Sequence, residues 1–440
     1  MPTMPANYPS LRTAWTVWGL GAALYFIAFY LRVAPAVLTN ELTVDFALTA
    51  AALGNLSAFY FYSYVAIQIP TGILADTLGP RKLLTIGCAV AALGTLVFAV
   101  APTVWWANSG RLLIGAAVGV AFVAMLKLAS RWMHPKQFAL TSGVALATGV
   151  LGAVCAGVPL RWLVDAFGWR ATMMGSAALT LLLAFATWII VRDDPSERGY
   201  ASYADAKPEH KVAGDSLFKG ISKVLTYKNT WLLFLIPGCM PAMVLSFAGL
   251  WGVPFLTTHY NKTPAQAATL CSFMMIVWAA GSLCFGAASD RLGRRKPLFL
   301  AGLVASSVFF AVLIYVPQLP TFWLWAVIGA TGFSAGCFIV TFAFAKESVP
   351  VAYAGTVSGV SNMGVIQGPM YMQPLIGWLL DHSRDATITT LSLGATKKLF
   401  SFDAYQNGFR WVLLWCAVSF ILLLLTRETY CKQLPTNESL

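Results

Sequence analysis

The residues of this chain with the most pointed chemistry are cations set inside apolar runs. Arg32 and Arg111 lie well inside two such runs, Lys127 sits about one helical turn from the end of the second, and no Asp, Glu or His falls in the middle of any run. A cation at bilayer depth is costly unless it meets a partner or water. With no carboxylate set beside it, the natural partner of Arg32 is an anionic group brought by a solute, and helix carbonyls are the alternative. Arg111 and Lys127 have a third option, snorkelling toward an interface. Tyr60, Tyr64 and Gln68, at i, i+4 and i+8, put two hydroxyls and an amide on one helix face. Asn362, Gln367 and Gln373 are spread similarly along a later run, and Trp251 in GLWGVPF is a candidate cavity wall. For each of these the plain alternative is packing.

A second constellation is a charged turn between apolar runs that occurs twice. Gly72 to Lys82 reads GILADTLGPRK and Gly286 to Lys296 reads GAASDRLGRRK, so Gly72, Asp76, Leu78, Gly79, Arg81 and Lys82 recur as Gly286, Asp290, Leu292, Gly293, Arg295 and Lys296, 214 residues on. Ser142-Gly143-Val144, Trp162 and Asp165 return as Ser358-Gly359-Val360, Trp378 and Asp381 after 216 residues, and Gly168-Trp169-Arg170 as Gly408-Phe409-Arg410 after 240. Recurrence near half the chain length marks an internal duplication. An Asp ending one helix can meet basic side chains or a neighbouring helix N-terminus in one conformation and leave them in another. Asp76 and Asp290 are therefore latch candidates, against the simpler role of capping helix ends and setting topology.

The elements that position these groups follow from composition. With 58% hydrophobic and 10% charged residues and a mean hydropathy of +0.71, the chain is far from a soluble composition. Runs of at least ~18 apolar residues mark transmembrane helices. Twelve are expected, near 14–38, 49–75, 83–101, 105–130, 138–162, 170–191, 229–257, 265–289, 298–317, 321–345, 354–380 and 409–427. Strands of a barrel would alternate over ~10 residues instead. The predicted fold is all-α integral membrane, in two pseudo-symmetric six-helix halves, 1–191 and 229–440, joined by a linker over 192–228. The first run lacks a cleavage site behind it and reads as a retained helix rather than a signal peptide.

Arg81, Lys82, Arg131, Lys136, Arg291, Arg294, Arg295 and Lys296 fall in loops after even-numbered runs, which puts both termini in the cytoplasm. The net charge of +12 is mostly this loop bias, and no basic module interleaved with aromatics points to nucleic acid. Cys88, Cys155, Cys239, Cys271, Cys284, Cys337 and Cys416 lie in apolar runs and Cys431 in the tail, without metal or disulfide spacing. No metal, cofactor or catalytic group is expected. His134, His210, His259 and His382 lie in loops or at run edges, so nothing assembles a nucleophile with a base. Arg192 to Lys228 is too polar to fold alone, although Phe218, Ile221 and Val224 with Lys219, Lys223 and Lys228 suit a surface helix. The interval Asp381 to Asn407 faces outward with no readable function. Gly143, Gly149, Gly152 and Gly157 before Pro159 read first as close-packing positions.

Two six-helix halves with the Gly-x-x-x-Asp-x-x-Gly-x-Arg-Lys turn after the second and eighth runs resemble the major facilitator superfamily, over nearly the whole chain. The second copy, DRLGRRK, has the superfamily's full pattern, whereas Thr77 and Pro80 replace two of its basic residues in the first. SAFYFYSYVAIQIPTGILAD, Arg32, Arg111 in GRLLIGAAVG and the DDP opening of the linker resemble the anion:cation symporter group. In that group's acidic-sugar symporters an Asp precedes the first arginine and a Glu follows the second by seven residues, for proton coupling. Leu31 and Val118 stand there in this chain. FAGLWGVPFL and MQPLIGWLLD also resemble permeases grouped with organic-anion and amino-acid transporters.

The resemblance implies a monomeric secondary transporter in a bacterial inner membrane, working by alternating access on a small carboxylate-bearing solute, with the coupling ion open. A multidrug or metabolite exporter is the transport alternative, although efflux of cationic drugs usually uses an embedded acid. A sensor built on a transporter fold is the alternative of another class, and uptake into proteoliposomes separates it from transport.

Overall fold

A segment in hydrocarbon must satisfy its own backbone hydrogen bonds, and a helix does so internally. The computed structural model describes residues 7–134, 137–203, 217–383, 387–390 and 396–434. In chain order its long helices are α1 Leu11–Val37, α2 Ala50–Gln68, α3 Thr77–Ala99, α4 Val104–Trp132, α5 Gly143–Phe167, α6 Trp169–Ile190, α7 Lys228–His259, α8 Pro264–Leu292, α9 Lys296–Tyr315, α10 Thr321–Glu347, α11 Ala354–Asp381 and α12 Phe402–Leu424. Ten of them are long and apolar enough to cross a membrane. The other two are α2, which joins the short helix Thr39–Asp45 at a 115° bend, and α11, whose Ser, Asn, Gln and Pro lower its hydropathy. These two carry most of the polar groups that the sequence singles out.

The last span starts earlier than its expected position at 409, because Ser401 caps the helix by accepting the Ala404 N–H at 3.1 Å and the polar turn Phe402–Asn407 stays helical. Within the interval between α11 and α12, β1 Thr387–Thr390 and β2 Thr396–Leu399 form a small antiparallel hairpin, with Thr387 opposite Leu399. The linker holds a 3₁₀ turn, Pro195–Arg198, and a helix, Leu217–Val224, whose Val224 is buried. Lys228 opens α7, and the side chains of Phe218 and Lys219 lie outside the described set, as do Lys136 and His210.

Two compact units can be distinguished. The first comprises Met1–Arg32, Tyr62–Cys155 and Leu163–Ala213; the second comprises Val33–Phe61, Ala156–Trp162 and Gly214–Leu440. Inside the first, α5 lies so close to α1 that a Cβ at Gly152 would stand 2.2 Å from the Phe26 carbonyl oxygen. Inside the second, α11 meets α7 likewise, since a Cβ at Gly368 would stand 2.0 Å from the Gly238 oxygen. Glycine permits both approaches, which any larger residue would force apart.

Candidate functional site

In the first unit, Arg32 near the end of α1 is 5% exposed, and its guanidinium lies 4.3 Å from the Phe29 ring and 5.1 Å from the Tyr64 ring of α2. Ring faces attract the cation. A guanidinium also carries a planar fork of N–H donors whose geometry suits a carboxylate. Arg32 and Tyr64, both singled out from sequence, are thus together. Gln68, one turn further along α2, is half-buried.

The other two cations have structural occupations. Leu31 would normally offer its carbonyl to the N–H four residues on, but that residue is Pro35, which has none. Arg111 of α4, 2% exposed, donates from Nη1 to this oxygen at 2.5 Å. It therefore holds α4 against α1 one residue before Arg32. Lys127 donates to the Ala75 carbonyl at 2.8 Å, beside Asp76.

In the second unit the amides behave in the same way. Pro237 interrupts α7, and Gln367 donates from Nε2 to the Phe234 carbonyl at 2.7 Å. Further along, Phe247–Trp251 forms a π-helical turn, a feature that shifts the ladder and is frequent at functional sites. Gln373 donates to the Leu245 carbonyl at 2.9 Å, and Trp251 Nε1 returns a bond to the Gln373 carbonyl at 3.2 Å. Gln373 Oε1 is buried without a hydrogen-bond partner among the described residues. Tyr60 is fully buried and Asn362 half-buried. A small crevice here is lined by apolar side chains including Val33, Ala248 and Met275, together with Gly157 and Cys271, and none of the candidate solute-binding residues lines it.

The two charged turns differ. In the first copy the helix running from Ala50 to Ala99 is broken at Gly79, at φ 76° and ψ 158°. Arg81 N–H donates to Asp193 Oδ1 at 2.6 Å, and the Arg81 guanidinium donates to the Trp188 carbonyl at 2.8 and 3.1 Å while lying 4.2 Å from the Trp188 ring. Lys82 is exposed, and the side chains at Gly72 and Asp76 lie outside the described set.

In the second copy Gly293 takes a left-handed cap at φ 66°, closing α8 on the Ser289 and Asp290 carbonyls. Arg295 pairs with Asp290 and with Glu347 of α10, each at 2.6 Å. Burial works against the Arg295 charge, and the bonds to Glu347 and Asp290 outweigh it, holding its pKa above the ordinary value. Glu428 accepts the N–H groups of Arg295 and Lys296 at 2.9 Å each, and Lys296 Nζ reaches the Leu424 and Thr426 carbonyls at 2.7 and 2.9 Å. Gly286 faces Ile339 with ordinary room.

Sequence reasoning missed Asp193, Glu347 and Glu428. A signal for two of them was present, since Arg192-Asp193 after α6 and Arg427-Glu428 after α12 form a second internal echo. It also missed Arg161, a buried cation toward the C-terminal end of α5, which pairs with Glu41 at 2.7 Å and donates to the Val37 carbonyl at 3.2 Å.

Comparison with known proteins agrees with this architecture. Residues 18–368 and 242–429 match the family model of the Major Facilitator Superfamily. The chain is similar to a probable sulfoacetate transporter of Cupriavidus necator, 24% identical over 407 residues covering 88% of this chain and 91% of the relative. It is also similar to a lysosomal dipeptide transporter of Danio rerio, 24% identical over 397 residues covering 85% and 84%. Among solved structures, a bacterial homologue of the lysosomal transporter Spinster, inward-facing and unoccupied, shares the fold with a TM-score of 0.71 at 18% identity, covering 96% of this chain and 97% of the other. These relatives are transporters, and the fold is theirs.

Proposed function

Because the chain belongs to the major facilitator superfamily, a multi-pass membrane family of secondary transporters, we propose that it moves a small carboxylate-bearing solute, an organic anion or an amino acid, by alternating access. Arg32 receives the solute's negative group. The observation that carries this reading is a buried guanidinium held 4.3 Å from the Phe29 ring and 5.1 Å from the Tyr64 ring inside an apolar helix, a group whose fork of donors suits a planar anion. Arg111 positions Arg32 by tying down the Leu31 carbonyl. The relatives named for sulfoacetate and for dipeptides support a solute with an acidic group.

Residues 1–191 rock against 229–440 about the bound solute, with 192–228 as the linker. The Lys and Arg bias of the loops supports cytoplasmic termini, and the carrier works in a bacterial inner membrane. Leu31 and Val118 occupy places where related symporters carry acids, so a loaded carrier reorients more readily than an empty one. Exchange of anions, or entry of a cation with the anion, follows.

The test is binding and counterflow in proteoliposomes, using a panel of organic acids and amino acids. Arg32→Gln should keep the melting temperature and lose affinity by roughly tenfold or more, since a hydrogen bond to a charged group is worth about 1.5–3 kcal/mol. Arg32→Lys should restore little, because an ammonium lacks the fork. Counterflow should outpace net uptake. Unchanged affinity in Arg32→Gln would sink the reading.

A further inference from the structure

Within the second unit, the start of α2 and the end of α11 share one contact. Asp381, the last residue of α11, accepts the Ala50 N–H through Oδ1 at 3.0 Å and the Ala51 N–H through Oδ2 at 2.7 Å. The Ala52 N–H goes to Thr49 Oγ1 at 3.2 Å. First-turn N–H groups have no carbonyl partner in their own helix, and they lie at the positive end of its dipole. A helix start is ordinarily capped by the residue just before it; here two of the donors are held by a carboxylate 330 residues away. Beside the cap the backbones touch. A Cβ at Gly377 would stand 2.2 Å from the Ala50 oxygen, and one at Gly54 would stand 2.4 Å from the Gln373 oxygen.

We propose that Asp381 is a gating residue, a releasable clasp that holds α2 onto α11 at this end. The inference rests on the alternating-access reading, under which 1–191 parts from 229–440 and this contact breaks once per cycle. The chemistry suits release. Donors at a part-buried helix start next to the exposed Thr49 can exchange a carboxylate for water, whereas the seam of Gly54, Gly377 and Ala50 fits only when the helices are together. The placement also gives α2 a carboxylate at each end. Asp76 lies three residues before the break of this helix at Gly79 and Asp381 is bound at its N-terminal end, so the two ends of one helix can be clasped in alternation.

The test reads opening directly and needs no solute. Spin labels replace the exposed Val44 and His382, in a background with the other cysteines removed, and the distance distribution is measured in nanodiscs. Asp381→Asn, which keeps an amide oxygen but loses the charge, should raise the ratio of parted to closed populations about tenfold. Ala50→Pro removes one of the two donors at a helix position that accepts proline. It should shift the ratio in the same direction, and the double variant should shift it by less than the product of the two. Ala50→Pro also carries the test should Asp381→Asn fail to fold. A lower melting temperature with unchanged distances would make Asp381 a structural cap and overturn the proposal, as would folded variants with no change at all. Failure here with Arg32→Gln still abolishing binding leaves the solute reading intact; the reverse result leaves the clasp intact.

Discussion

The two copies of the charged turn share a sequence and divide its work differently. In both, a carboxylate just after the last helix of the half caps the start of the third: Asp193 at Arg81, Glu428 at Arg295 and Lys296. In both, a basic side chain reaches the carbonyls ending that last helix. In the first copy this is Arg81 on Trp188, and in the second it is Lys296 on Leu424 and Thr426. Thus Arg81 does the work of Lys296, although the alignment pairs it with Arg295. Arg295 is released to join Asp290 and Glu347, a network with no described counterpart at the first turn. Duplication has preserved the backbone problem, a helix start needing an anion, while the guanidinium chemistry has drifted by one residue.

The backbone difference makes the largest prediction. Gly79 sits at φ 76°, ψ 158°, a region essentially reserved for glycine, whereas Gly293 at φ 66°, ψ 21° is in the left-handed helical region that Asn also visits. A Cβ at Gly79 would also stand 2.5 Å from Asp193 Oδ2. Gly79→Ala should therefore cost about 3 kcal/mol, adding roughly 1–3 of strain to the loss of the Asp193 cap, while Gly293→Asn should cost under about 1. Detergent melts of the two variants decide this. Equal losses would mean that the turns are equivalent after all.

The side-chain difference comes next. Glu347→Gln removes the partner of a guanidinium whose side chain is 7% exposed. Breaking a buried pair costs about 3–5 kcal/mol, and Asp290 remains as a second partner, so roughly half of that, about 2, is expected. Arg81→Gln, at the turn with no such network among the described residues, should cost under about 1 kcal/mol. A chemical-denaturation series on both would show whether the acid network belongs to the second turn alone.

The twelve spans were legible because hydropathy is a sum over ~20 residues and tolerates local exceptions. The start of α12 was not, because the turn Phe402–Asn407 is held by Ser401 rather than by apolar burial. Sequence also singled out Arg32, as a charge inside an apolar run, and Tyr64, by its i, i+4 spacing with Tyr60 and Gln68, but not the contact between them. Where Arg111, Gln367 and Gln373 send their donors was hidden. Each goes to a carbonyl beside a break in another helix, at Pro35, Pro237 or the π turn. Proline is visible in a sequence, but which neighbour fills a carbonyl left open beside it is decided by packing, and the π turn leaves no residue signature at all.

The smallest effect concerns Asp194, next to the carboxylate that caps the first turn. Its Oδ1 accepts the Ser196 N–H at 2.9 Å in a capping box with Glu197, and its Oδ2 accepts the Ser202 hydroxyl at 3.0 Å. Burial opposes ionisation here, but these bonds and the Arg131 charge outweigh it, so the carboxyl is held below its ordinary value of 3.8. A carboxylate with a depressed folded pKa contributes stability that is fully present above its unfolded pKa and is lost as pH falls through the folded one. Wild type should thus exceed Asp194→Asn in melting temperature at pH 7, by an amount worth less than about 1 kcal/mol because the site is partly solvated. The gap should close below the ordinary carboxylate range. The second turn offers the control, because Glu428 accepts one backbone N–H with each oxygen, and Glu428→Gln, which loses the charge and one of those two acceptors, should lose more at pH 7. If the Asp194 gap instead widens in acid, the carboxyl is stabilised in its protonated form, and the box at the start of the linker does not hold an anion.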